Sequence, residues 1–231
     1  FGPGPAAGDK CDVIVRNPDT CEDRPLPHQQ VDVVPGPMLF FVDPGVVYNG
    51  INTWITLFST AITPPLPNDA VTIYPAGSST GGTQLAFQPV TEYPNRLRAL
   101  VPKSQAEGVY DVVLKDDSGC LAVLSNGLRV TGQTTITLKS VDPPFGWTQD
   151  DTAVTIYRDT ASAGLFAATP RVFLNPSNAT PTDAAAELVN VAFVDQDRAT
   201  GNVPKGTPVN TFDVILVNPD GAVGVLSAGY K

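Results

Sequence analysis

The chain has 231 residues, 42% of them apolar and 16% charged, a length sufficient for two small domains. Its 14 Lys+Arg against 23 Asp+Glu leave a net charge of −9, the wrong sign for a surface that neutralises phosphates, which argues against nucleic acid and anionic membrane as partners. No run of 18 uncharged apolar residues occurs, so no membrane span is expected.

The first predicted element is a hairpin at 11–21, CDVIVRNPDTC, with Asn17-Pro18-Asp19-Thr20 as its reversal. Alternation puts Cys11, Val13 and Val15 on its inner face. A polar stretch containing the single His28 follows, then a Pro-rich joint, VVPGP, at 33–37. The first residue is Phe, so the sequence is expected to be a processed product or a fragment of a longer chain.

Short β-type runs bounded by Pro, Gly, Asn and Asp come next: 37–42, 53–58, 70–75, 83–90, 96–101, 109–114 and 120–130. A second series lies at 135–141, 153–158, 171–175, 188–194, 211–217 and 223–230, with TDAAAEL at 182–188 expected to form one helical turn. About seven short strands per hundred residues, without helical periodicity, predict all-β architecture as β-sandwiches.

The hairpin phrase recurs. YDVVLKDDSGC begins at 110 and FDVILVNPDGA at 212, spaced from residue 11 by 99 (110 − 11) and then 102 (212 − 110). The same offsets align 41–58 with 140–157 and 95–112 with 197–214. A period near 100 is the size of a whole small domain. The expected organisation is residues 1–35 as the closing hairpin of a preceding unit, then domains at 36–132 and 133–231. Tyr110, Val112 and Leu114 should face one core, and Phe212, Val214 and Leu216 the other.

Residues 36–231 resemble the IPT/TIG immunoglobulin-like repeat. The second unit carries the pattern best, in Ser140-Val141-Asp142-Pro143-Pro144-Phe145-Gly146, Val154-Thr155-Ile156, Val203-Pro204, and Phe212-Asp213-Val214 through Asn218-Pro219-Asp220-Gly221. Two features depart from the family. Ile51-Asn52 and Asp150-Asp151 stand where a Gly pair is usual, and inserts lie at 161–170 and 176–188. The resemblance implies tandem immunoglobulin-like β-sandwich domains in a non-catalytic, secreted or cell-surface protein with a structural or adhesive role. The alternative it admits is a module that binds carbohydrate or a protein receptor, or a subunit of an extracellular filament. The implied partners are other Ig-like repeats of the same or a neighbouring chain, or a surface protein or glycan.

Candidate sites are few. With one His, in a turn-like segment, a nucleophile–base pair is not expected, and neighbouring carboxylates such as Asp116-Asp117 point apart in a turn; no catalytic residue is assigned. No zinc-type Cys/His spacing occurs, and Asp142, Asp150 and Asp151 are read as solvated turn carboxylates, so neither metal nor cofactor is assigned. If Ile55 and Leu57 face the core, Trp54 and Phe58 face outward; with the loop aromatics Tyr48 and Trp147 they form a candidate contact surface. Cys11 and Cys21 form a candidate disulfide if the hairpin bends enough to bring them within bridging distance, leaving Cys120 free or paired outside the chain.

Overall fold

The computed structural model describes residues 36–231 other than 61, 63–65, 118 and 181, and the backbone of four short strands within the first 35 residues. In that N-terminal part β1 (Lys10–Asp12) pairs antiparallel with β4 (Gln30–Asp32), and β2 (Val15–Arg16) with β3 (Glu22–Asp23). Cys11 stands opposite Val31 in the backbone register. The candidate Cys11–Cys21 bridge and His28 lie outside the described residues.

The described residues are all-β. β5 (Leu39–Asp43), β6 (Val46–Tyr48), β7 (Thr53–Ser59), β8 (Val71–Pro75), β9 (Thr83–Gln84), β10 (Ala86–Pro89), β11 (Arg96–Val101), β12 (Gly108–Lys115) and β13 (Leu121–Thr131) form two sheets, ordered β10-β11-β7-β5 and β6-β13-β12-β8-β9. Ile55, Leu57, Leu97 and Ala99 from the first sheet meet Val71, Ile73, Val112, Leu114 and Leu128 from the second in one buried cluster, which makes this an immunoglobulin-like sandwich.

β14 (Thr134–Asp142), β15 (Thr152–Arg158), β16 (Arg171–Pro176), β17 (Ala186–Glu187), β18 (Val189–Asp195), β19 (Arg198–Val203), β20 (Phe212–Val217) and β21 (Val223–Tyr230) form a continuous sheet, β17-β16-β20-β21-β14-β15-β19-β18. It is continuous because β14 pairs parallel with β21 at its start and antiparallel with β15 at its end. Its inner residues, among them Ile136, Val154, Ile156, Val172, Leu174, Val214 and Leu216, form a second, separate core. Phe166, from the insert at 161–170, is buried within it.

The two sandwiches share their registers. Ile55 stands opposite Ala99 as Val154 stands opposite Gly201; Val42 faces Leu57 as Val141 faces Ile156; Val113 faces Val123 as Ile215 faces Val225. The Asp43–Pro44 and Asp142–Pro143 bonds are both cis. Tyr110, Val112 and Leu114 are buried, as are Phe212, Val214 and Leu216, as alternation requires.

The aspartate of the recurring phrase has a local task. β13 bulges opposite Tyr110–Val112, between Leu124 and Leu128, and β21 opposite Phe212–Val214, between Leu226 and Tyr230. Within each bulge a residue takes positive φ, Asn126 at 53° and Ala228 at 51°. The Asn126 N–H donates to the Asp111 carboxylate at 2.7 Å, and the Ala228 N–H to Asp213 at 2.8 Å. The hairpin reversals end on Gly119 and Gly221, whose φ values of 88° and 91° favour the residue without a Cβ.

Four elements depart from expectation. The run at 83–90 is two strands that switch sheets at the buried Leu85, β9 pairing with β8 and β10 with β11. TDAAAEL contains no helical turn: Ala184 forms a parallel bridge with Asn52, and Ala186–Glu187 is a strand paired with β16. A single turn of alanines is too short to hold itself in a helix, and here the extended backbone finds partners on both sides. β6 forms where a loop was expected. β19 was not predicted either, because its inward residues Ala199 and Gly201 are small and mask the alternation.

Leu57 is fully buried, so Leu57→Ala should cost about 2–5 kcal/mol, read as a lower urea midpoint. The N–H groups of Asn126 and then Gly77 hold the Asp111 carboxyl below the usual carboxylate range, against a smaller effect of burial. A folded pKa lower than the unfolded one adds stability above the unfolded pKa, which is lost as pH falls through the folded value. Asp111→Ala should therefore lower the melting temperature at neutral pH and flatten its decline in acid, as measured by thermal melts from pH 7 to pH 2.

Candidate functional site

Two features stand out on the described surface: the outer face of the β10-β11-β7-β5 sheet, and the joint between the sandwiches.

Alternation along β7 sends Ile55 and Leu57 inward and Trp54, Thr56 and Phe58 outward. Arg96 lies opposite Phe58, and Leu100 opposite Trp54. The Phe58 ring stacks on Phe41 with centroids 4.2 Å apart and planes 14° from parallel. The Arg96 guanidinium lies between the rings of Phe58, at 5.0 Å, and Tyr93, at 4.1 Å; Arg98 covers Trp54 at 4.9 Å. Trp54 and Phe58 are thus half-buried beneath their own neighbours. Among the described residues neither Arg96 nor Arg98 has a carboxylate partner, and the buried Arg96 Nε has no hydrogen-bond acceptor. Met38, Phe40 and Phe41 extend the apolar surface along the edge strand β5.

The face opens into a groove of about 420 Å³ lined by Trp54, Tyr93, Arg96 and Arg98 on one side and by Phe173, Ala185 and Glu187 on the other. It can stack planar groups and attract an anion. Among the described residues no group of three or more His, Cys, Asp or Glu is placed to hold a metal ion. Asp151 accepts the Lys205 N–H at 2.8 Å.

The joint is a third apolar cluster. Ile51, 3% exposed, packs with Phe173, Ile215, Val217 and Val223, flanked by Val46, Tyr48 and Val225. Polar contacts ring it. Asn52 Nδ2 donates to the Asp183 carbonyl at 2.8 Å, Asn52 Oδ1 accepts the Lys103 N–H at 2.7 Å, and the Ala185 N–H donates to the Asn52 carbonyl at 3.0 Å. Arg129 donates to the Asp220 carbonyl at 2.7 Å, and Thr131 Oγ1 to that of Gly221 at 2.8 Å. Arg171 pairs with Asp43 and Glu187. Burial disfavours its charge, but the two carboxylates more than offset this and raise its pKa.

The four aromatics named from sequence are therefore separated: Trp54 and Phe58 lie on the sheet face, Tyr48 in the joint, and Trp147, 75% exposed, at the far end of the second sandwich. Cys120 is an exposed free thiol. Sequence reasoning missed Arg96 and Arg98, whose spacing of two on a strand facing Trp54 and Phe58 was the available signal. It also missed the joint, which no local pattern marks.

The chain matches no family model and no curated protein. Solved structures similar to it include the plexin A4 full extracellular region, at 12% identity and TM-score 0.40, covering 91% of this chain and 20% of that one. A chimeric titin Z1Z2 tandem aligns at 16% identity and TM-score 0.22, covering 83% and 98%. A Bacteroides ovatus protein, SGBP-B of a mixed-linkage glucan utilization locus, solved with a heptasaccharide, aligns at 14% identity and TM-score 0.28, covering 79% and 40%. This chain thus spans about a fifth of the plexin chain's length. Likeness at this level carries nothing about ligand or partner, and the architecture rests on strand order and register.

Removing the cation over Trp54 should cost about 0.5–1 kcal/mol and open the indole to solvent. In a Trp147→Phe background, Arg98→Ala is expected to increase acrylamide quenching of the remaining tryptophan with the far-UV spectrum unchanged.

Proposed function

We propose that this chain is a non-catalytic segment of a secreted or cell-surface protein built from IPT/TIG-type repeats, with domains at 36–132 and 133–231, and that it spaces and stiffens. The observation that carries this reading is the joint. An apolar cluster with hydrogen bonds and an ion pair at its margin resists bending in a way that a bare linker does not. The linker itself, 132–133, is short, and Thr131 is tied to Gly221. The extracellular location rests on the motif resemblance.

A second reading is favoured by one specific observation, the two arginines that have no carboxylate partner among the described residues, beside half-buried aromatics. On that reading the groove binds a planar anionic group, such as a uronic-acid sugar or an acidic segment of a receptor. An array of acidic glycans then gives a signal that Trp54→Ala or Arg98→Ala removes while the fold persists.

The spacer reading predicts one rigid body. Nuclear spin relaxation should give the same overall tumbling time for both sandwiches of the wild type. In Ile51→Asp, which places a charge in the joint, the tumbling times should become shorter and separate. Independent tumbling in the wild type would contradict the spacer role.

A further inference from the structure

The joint uses two surfaces, and each has a counterpart on the same chain that exposes apolar side chains. The receiving surface is the outer face of the second sandwich: Phe173, Ile215, Val217, Val223 and Val225. Matching registers assign their counterparts on the first sandwich as Thr72, Val113, Lys115, Leu121 and Val123. Val223 is 0% exposed in the joint, whereas Leu121 is 60% exposed and Val123 55%. With Tyr74 and Asp69 they line a cleft of about 340 Å³.

The inserting surface is the end of the first sandwich, where Val46 and Tyr48 on β6 point away from their own core. Their counterparts are Phe145 and Trp147, 63% and 75% exposed. The backbone there is the same: Arg129 N–H donates to the Gly45 carbonyl at 2.9 Å, and Lys231 N–H to the Pro144 carbonyl at 3.0 Å. The charges are placed differently. In the joint Asp43 meets Arg171, which stands opposite Val217. Asp142 matches Asp43, but Ala70 stands where Arg171 does; the cation of the free face is Lys115, at the Val217 position and paired with Asp69 at 2.9 Å.

We propose that the Phe145–Trp147 end of one copy docks on the Val113–Leu121–Val123 face of another, repeating the internal joint between chains. The occupant is a second copy of this chain, because this chain carries counterparts of both halves of an interface it already makes once, with Asp150 at the place of Ile51 and Lys115 at that of Val217, so that opposite charges stand where the joint has an apolar contact. The contact is heterologous, so it propagates head to tail instead of closing as a dimer. This inference rests on the reading of the joint as a rigid docked surface, but it fails separately from it.

The test is sedimentation velocity of the full chain over micromolar to millimolar concentration. The wild type should show a weight-average mass that rises past the dimer. Val123→Asp and Trp147→Asp, both at exposed positions and checked for an unchanged melting profile, should each remain monomeric. Mixed at equal concentration they should form a one-to-one dimer and nothing larger, because each retains one intact surface. A wild type that stays monomeric, association that either variant leaves unchanged, or a mixture that behaves as the sum of its parts would overturn the proposal. If the wild type is monomeric but still tumbles as one body, the docking between copies fails and the spacer role stands.

Discussion

The rest of the arrangement depends on apolar burial at Ile51. It is the residue of the first sandwich placed fully in the third cluster, against Phe173, Ile215, Val217 and Val223 of the second. These side chains lie on the outer face of a sheet, where alternation would normally leave them wet. The outward positions Ile215 and Val217 are 1% and 2% exposed because the neighbouring sandwich covers them. Once that apolar contact is made, the polar groups around it are also shielded from water and need partners. Asn52, 2% exposed, has the Lys103 N–H and the Asp183 carbonyl for its side chain and the Ala185 N–H for its carbonyl.

The joint also explains the sequence features that fitted the repeat pattern least. Ile51-Asn52, which stands where the resembled repeat has a glycine pair, forms the contact. The insert at 176–188 delivers Asp183, Ala184 and Ala185 to Asn52. Asp150-Asp151 occupies the corresponding place at the free end of the second sandwich, beside exposed Phe145 and Trp147. Ile51-Asn52 and the insert at 176–188 are therefore two sides of one interaction, whereas the insert at 161–170 buries Phe166 in the second core.

Much of each sandwich was legible in the sequence. Period-two alternation placed Tyr110, Val112 and Leu114 inward, and Trp54 and Phe58 outward, because a strand has only two faces and one of them is buried. The β19 strand escaped because Ala199 and Gly201 are too small to register as an apolar row, although both are buried. The Asp of the Tyr/Phe-Asp-Val phrase read as an outward polar residue; its role in holding a bulge depends on a positive-φ partner 15 residues away. The joint was illegible for a stronger reason. Ile51 and Phe173 are far apart in the chain, share no periodic pattern, and reveal their relation only when the two units are placed together. The site face was half legible: the aromatics were visible, but the arginines that cover them were not.

The most direct measurement of the central claim is amide hydrogen exchange at Ala185, whose N–H donates to the Asn52 carbonyl across the joint. If the sandwiches are packed together as described, this amide should be protected to a degree comparable with the strand amides of β16 beside it. Exchange at the rate of an exposed turn, with β16 still protected, would mean that the joint opens freely and would contradict the account.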